Sequence, residues 1–171
     1  QEYFGVTPDV SVFGKAIAGG YSLSMICGKR EIMEFGVHAS GTFNANPISV
    51  AAALATIAEL EREGVYERFE YLGNMLTEGL REIGRKYGIK LYAAANRAIC
   101  QLQIGIDRPV ESYRDCLLNV DYKKYDQIFL KATRYGVRLT ANRGRIYLST
   151  AHTEEDIKKT LDIMDQVFSE L

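Results

Sequence analysis

A lysine flanked by small residues is the feature of this sequence best suited to covalent chemistry. Lys15 follows Gly14 at the end of the apolar, β-prone stretch 10–13, which comes after the turn-forming residues Thr7-Pro8-Asp9. Sheets of α/β proteins bind their ligands at the carboxyl ends of strands, where Lys15 is predicted to lie. An amine in partly apolar surroundings there favours a Schiff base with an aldehyde. The neighbouring residues leave space for a flat ring against the backbone: Gly14, Ala16, Ala18, Gly19 and Gly20.

A second candidate site is the segment from Gly41 to Pro47. Thr42 offers a hydroxyl and Gly41 offers accessible backbone, while Asn46 and Pro47 are typical of a helix start. Backbone N–H groups near a helix N-terminus can bind a phosphate. The same residues also suit an ordinary capped turn, and the segment taken alone leaves both interpretations open.

Hydrophobic spacing predicts mixed helices and strands around these two segments. Apolar residues three or four apart after Gly64 predict one long helix whose stripe forms core. Thr153 and Asp156 indicate a capped final helix. Further helices are predicted at about 31–35, 47–62 and 122–135, and strands at 10–13, 23–27, 89–92, 99–106, 137–140 and 145–148. The predicted class is α/β, with residues 1–67 in one part and residues 68–171 in a smaller α+β part.

Composition excludes several other functions. The chain has 47% hydrophobic and 25% charged residues, and its 21 basic and 22 acidic residues leave a net charge of -1. That balance, without a basic stripe, argues against a nucleic-acid partner. No apolar run is long enough for a bilayer, so no membrane association is expected. The three cysteines and two histidines share no metal-ligand spacing, which predicts no metal site and reduced thiols in the cytoplasm.

Several blocks in order along the chain resemble the class III pyridoxal-phosphate-dependent aminotransferases. The segments 5–9, 14–20 and 28–33 resemble the cofactor-lysine region of that class, and 41–47 resembles its Gly-Thr-Phe-Ser-Gly-Asn-Pro block. The segments 109–115 and 147–157 resemble the glutamate-1-semialdehyde 2,1-aminomutase branch in particular. The resemblance covers nearly the whole chain.

This resemblance implies a fold-type-I transferase, of which the chain is the carboxyl-terminal part. Residues 1–67 would be the remnant of the large αβα cofactor domain, and 68–171 the small domain. Lys15 would form the Schiff base with pyridoxal 5'-phosphate and shuttle a proton between substrate and cofactor. Thr42, with Gly41, would bind the cofactor phosphate in the neighbouring subunit's site, which implies a homodimer with shared active sites.

The resemblance also implies contacts that this chain lacks. In the family an aspartate at the pyridine nitrogen, a stacked aromatic ring and the main phosphate-binding turn precede the lysine. None has a counterpart in the fourteen residues before Lys15. We therefore expect the chain to be an incomplete fragment that is inactive alone.

Departures from the aminomutase pattern bear on the substrate. Ser22 stands where the family often has proline, and Asn44-Ala45 replaces Ser-Gly. The turn at 140–145 carries Arg143 and Arg145 where aminomutases have a Pro-Ser, aromatic and acidic pattern. Arg143 could grip a substrate carboxylate bidentately, or both arginines could be solvated.

The predicted function is therefore an aminotransferase related to the aminomutase, acting on a small-molecule amino donor and a carbonyl acceptor. The alternatives are the aminomutase itself and a non-catalytic domain derived from such an enzyme.

Overall fold

The chain forms two compact units, each with helices and strands. The computed structural model describes residues 1–35, 41–141 and 144–171. The first unit spans Gln1–Arg62 and the second Glu63–Leu171. The mixture of helix and sheet confirms the predicted class. The division falls just before residue 67, and the assignment of the two parts to a large and a small domain stays a prediction.

The elements of the described residues follow the predicted order, with one strand fewer and one helix more than expected. The strands are β1 (Val10–Phe13), β2 (Met25–Gly28), β3 (Leu91–Asn96), β4 (Ile99–Ile104) and β5 (Arg145–Tyr147). The helices are α1 (Arg30–Met33), α2 (Pro47–Leu60), α3 (Val65–Lys86), α4 (Tyr113–Asn119), α5 (Tyr122–Arg134) and α6 (Glu154–Ser169). No helix in the described ranges is both long enough and apolar enough to cross a bilayer.

The first unit is built on an antiparallel pair of strands, the short helix α1 and the longer helix α2. β1 pairs with β2 in a register that runs from Val10 opposite Gly28 to Phe13 opposite Met25. A 3-10 turn at Lys15–Ala18 follows β1 and contacts α2. Apolar side chains remain exposed throughout this unit, with Val12 at 73% and Leu54 at 63%. A two-stranded ribbon is marginal in water, so this unit has little core of its own.

The second unit has a full hydrophobic core under a three-stranded antiparallel sheet. The strand order is β3-β4-β5, α3 packs on β3, and α6 packs on α3 and α5. The apolar stripe predicted for α3 is buried, which confirms its assignment to the core. Its buried members are Phe69, Leu72, Leu76, Leu80 and Ile83. The predicted capping box of α6 is also present, since Thr153 and Asp156 bond to each other's backbone N–H groups.

The strand predicted at 137–140 is wrong. These residues are described and form no strand. Backbone carbonyls here accept hydrogen bonds from side chains rather than from a neighbouring strand. The Tyr125 hydroxyl donates to the Thr140 carbonyl at 2.7 Å, and the Thr140 hydroxyl donates to the Arg145 carbonyl. β-Propensity favours a strand only where a partner strand is available.

The short helix α4 was not predicted, and an ion pair holds it in place. Ser112 caps it, and the two terminal nitrogens of Arg108 each lie 2.7 Å from an Asp115 carboxylate oxygen. Asp115 also accepts from the Glu111 backbone N–H at 3.0 Å and from the Asn119 amide at 2.8 Å. The Arg108 guanidinium, followed by the Glu111 N–H, lowers the pKa of Asp115 well below its ordinary value.

We predict that the Asp115 carboxylate makes the second unit more sensitive to acid. Because its folded-state pKa lies below the ordinary 3.8, its stabilising effect is complete above that value and is lost as pH falls below it. Asp115→Asn should therefore lower stability at neutral pH and flatten the loss of stability between pH 5 and pH 2. Urea unfolding across this range measures the effect. Asp126→Asn, at an exposed position of α5, is the control. The same dependence of stability on pH in both variants would refute the prediction.

Candidate functional site

Lys15 lies where the sequence predicted, just beyond the end of β1, and its backbone is unusual. Its φ is 56°, in the left-handed region that residues other than glycine rarely adopt. Such a conformation costs on the order of 1–2 kcal/mol and persists only where the surrounding structure enforces it, often at functional sites. The left-handed backbone at Lys15 therefore lowers the stability of the chain at this position.

The surroundings of Lys15 leave its amine accessible within the first unit. The side chain is exposed, and within the described residues it has no hydrogen-bond or ion-pair partner. A Cβ built on Gly14 or on Gly20 would meet no atom within 4 Å. Of the small residues predicted to leave room around the lysine, Gly14 and Gly20 border open space, whereas Ala18 is buried and Gly19 packs against Thr56.

The segment before α2 forms a tight turn that presents Thr42. The Asn44 N–H donates to the Gly41 carbonyl at 3.0 Å, and a Cβ on Gly41 would lie 3.0 Å from the Asn44 side chain. A side chain at 41 would therefore press on the Asn44 side chain. Thr42 is exposed, and no described residue bonds to its hydroxyl.

The α2 N-terminus has the capped turn that was one of the two interpretations left open by the sequence. Asn46 caps the helix as expected, and its Oδ1 accepts from the Ile48 N–H at 3.0 Å and the Ser49 N–H at 3.4 Å. Pro47 has no N–H to offer. Because the cap occupies these donors, an anion at this segment would depend on the Thr42 hydroxyl and its neighbouring backbone rather than on the helix end.

Ala45, within the same turn, carries strain that the sequence did not reveal. Its φ is 51°, so a side chain occupies a left-handed position suited to glycine. We predict that Ala45→Gly raises the free energy of unfolding by up to about 1 kcal/mol. Ala51→Gly on the exposed surface of α2 should lower it by about 1 kcal/mol. Urea unfolding of the two variants compares them directly, and a loss of stability in both would contradict the assignment of strain to Ala45.

Of the two arginines in the turn at 140–145, only Arg145 lies within the described residues. Arg143 lies outside the described residues. Arg145 begins β5 opposite Gln101, and its side chain is exposed with no ion-pair partner among the described residues.

Sequence reasoning missed the contact between the lysine turn and α2. Ala18 at the end of the turn is fully buried, and so, nearly, is Ala53 of α2 at 6% exposure. The available signal was the run of small residues along α2, which indicated close packing without showing what it packs against.

Comparison with known proteins identifies the family. The family model for class III aminotransferases matches residues 1–168. Glutamate-1-semialdehyde 2,1-aminomutase of Methanococcoides burtonii is 38% identical over 168 residues, which are 95% of this chain and 39% of that protein. The chain thus spans about two fifths of the length of the relatives it matches.

Solved structures agree in fold. An omega-transaminase from Sphaerobacter thermophilus superposes with a TM-score of 0.91 at 24% identity, covering 99% of this chain and 40% of that one. A glutamate-1-semialdehyde aminomutase from Pseudomonas aeruginosa PAO1 gives 0.87 at 20% identity with the same coverage. From its sequence match along nearly its whole length, this chain belongs to the class III aminotransferases, a family of pyridoxal-phosphate enzymes.

Proposed function

We propose that the gene product carrying this chain transfers an amino group between an amino compound and a carbonyl acceptor, with Lys15 as its catalytic lysine. The observation that carries the proposal is the exposed Lys15 side chain on a left-handed backbone at the end of β1. The left-handed backbone at Lys15 does not stabilise the fold, whereas the chemistry of the family requires an accessible amine at this position.

The residues present fit pyridoxal 5'-phosphate. The Lys15 amine can attach to the aldehyde, and the open space beside Gly14 can admit the ring. The Thr42 hydroxyl, with no partner among described residues, can donate to the phosphate, and Gly41 beside it is exposed. When bound, the cofactor supplies an aldehyde and an electron-withdrawing ring.

Lys15 has two roles in this proposal. Its Nζ would hold the cofactor and would be freed when a substrate amine takes its place. The freed Nζ would then move a proton from the substrate carbon that bears the amino group to the cofactor. Both roles need one nitrogen within reach of two positions, which a long side chain on a fixed backbone provides.

Assembly and substrate binding form the next part of the proposal. In the family that this chain resembles, Thr42 serves the neighbouring subunit's cofactor, which supports a homodimer with shared active sites. Arg143 is proposed to bind a substrate carboxylate bidentately. The cytoplasm is the proposed location, in keeping with three cysteines that are all free.

The second candidate is the aminomutase reaction itself, and one observation favours it. The Methanococcoides burtonii relative, 38% identical to this chain, is a glutamate-1-semialdehyde 2,1-aminomutase. The arginines at 143 and 145, in place of the aminomutase pattern, support an aminotransferase instead. We keep the aminotransferase as the main proposal.

A half-reaction assay on the full-length gene product tests the proposal. The protein is loaded with pyridoxal phosphate and mixed with single amino donors, and conversion to the pyridoxamine form is followed by absorbance. An aminotransferase should convert with a donor alone and revert with a separate carbonyl acceptor. An aminomutase should instead rearrange glutamate 1-semialdehyde with no second substrate. Absence of conversion with every donor and with the semialdehyde would overturn both candidates.

A further inference from the structure

The first unit buries three residues among those described, and all of them are small. They are Ala18 in the lysine turn and Ser49 and Ala53 on α2. The turn and the helix contact each other. The anchoring of the lysine turn inside this unit therefore depends on its contact with one helix.

The contacting face of α2 follows helical spacing. Ser49, Ala53 and Thr56 are four and three residues apart, so they lie along one side of the helix. The Thr56 hydroxyl donates to the Ala52 carbonyl at 2.9 Å, which fixes its orientation. This face, Ser49-Ala53-Thr56, is referred to below as the small-residue face.

Gly19 shows how closely the turn approaches that face. A Cβ built on Gly19 would lie 3.2 Å from the Thr56 Oγ1, closer than most real contacts. Gly19 also has a φ of 56°, which favours glycine in any case. The turn that begins at Lys15 thus ends in backbone packed so close to α2 that a side chain at 19 would press on Thr56.

The position of Lys15 depends on this packing. Its left-handed backbone is unfavourable by itself and needs an enforcing contact. Within the first unit, its turn contacts α2, and a Cβ on Gly19 at the end of the turn would lie 3.2 Å from Thr56 of the small-residue face. We propose that Ala53 and Thr56 are positioning residues that set the direction of Lys15 through Ala18 and Gly19.

This inference rests on the proposed function of Lys15 and adds residues that do not touch the cofactor. A displacement of about 1 Å at a reacting group can lower its rate roughly 100-fold. A larger side chain at Ala53 should push the turn outward and move Lys15 by a comparable amount. The small side chains on α2 are then required by the chemistry as well as by packing.

The experiment compares Ala53→Leu with Ala55→Leu in the full-length gene product. Both variants add the same atoms to α2, but Ala55 is exposed and Ala53 is buried. Two properties are measured: the rate at which pyridoxal phosphate becomes borohydride-trapped on Lys15, and the pH midpoint of the bound cofactor's absorbance. Ala53→Leu should slow trapping roughly 100-fold and shift the midpoint. Ala55→Leu and the conservative Ala53→Ser should match the wild type.

A second variant guards against misfolding of Ala53→Leu. Gly19→Ala approaches the same contact from the turn, because its new methyl would lie 3.2 Å from Thr56 Oγ1. It should shift the pH midpoint in the same direction, with thermal unfolding confirming a folded protein. Folded Ala53→Leu or Gly19→Ala with wild-type trapping and an unchanged midpoint would overturn the positioning role.

The outcome for Lys15 itself separates the two proposals. If the wild type is trapped on Lys15 and the Ala53 and Gly19 variants behave identically, only the positioning inference fails. If the wild type is not trapped on Lys15, the proposed function fails and the inference falls with it.

Discussion

Lys15→Ala in the full-length gene product is expected to lower amino transfer by a factor of about 1,000 or more. In the proposed function, the substitution removes both the nitrogen that holds the cofactor and the group that moves the substrate proton, and general acid–base catalysis alone contributes roughly 100- to 10,000-fold. Lys15→Arg should be equally inactive, because a guanidinium stays protonated and cannot attack an aldehyde. Steady-state turnover with an amino donor identified in the half-reaction assay measures the loss.

Lys29→Ala is the matched control for this prediction. Lys29 lies in the same unit and forms an exposed ion pair with Asp9 at 2.6 Å. Exposed pairs contribute little to stability, so activity should remain close to that of the wild type. If Lys15→Ala keeps every measurable property, the chain is a non-catalytic domain derived from such an enzyme.

Residues 63–171, expressed alone, are expected to fold cooperatively, whereas residues 1–62 alone are not. All the buried apolar residues of the described chain except Ala18 and Ala53 lie in the second unit. A core of that size supports a free energy of unfolding on the order of 5 kcal/mol. The first unit exposes apolar side chains such as Phe43 at 85%, and its two paired strands cannot offset the entropy of ordering them.

Urea unfolding followed by circular dichroism measures this difference. A single sigmoidal transition is predicted for 63–171 and a gradual, non-cooperative signal for 1–62. Within 63–171, Leu76→Ala should lower stability by about 3 kcal/mol because Leu76 is 2% exposed. Leu118→Ala, at 73% exposure, should change it little. A cooperative transition for 1–62, or none for 63–171, would contradict the prediction.

Local patterns in the sequence predicted the parts of the fold that local interactions determine. The three-to-four spacing of apolar residues predicted α3 because a helix alone can present them on one face. The Thr153 and Asp156 capping box and the Asn46 cap were likewise predictable, since each bonds to backbone two or three residues away. The position of Lys15 beyond a short β-strand followed from the same kind of local reasoning.

Features that depend on distant parts of the chain were not predictable in this way. Residues 137–140 have strand propensity but no partner strand, and α4 depends on an ion pair between residues seven apart. Residue type gives no indication of the left-handed backbone at Lys15 and Ala45, because lysine and alanine rarely adopt that conformation. The contact of Gly19 with Thr56 joins segments far apart in sequence.

The central claim, that Lys15 is the cofactor lysine, is tested most directly by mapping the site of covalent attachment. The full-length gene product is mixed with pyridoxal phosphate, reduced with borohydride, and subjected to intact-mass measurement and peptide mapping. The account predicts one phosphopyridoxyl group per polypeptide, located on Lys15. A label confined to another lysine, or no stoichiometric label at all, would contradict it.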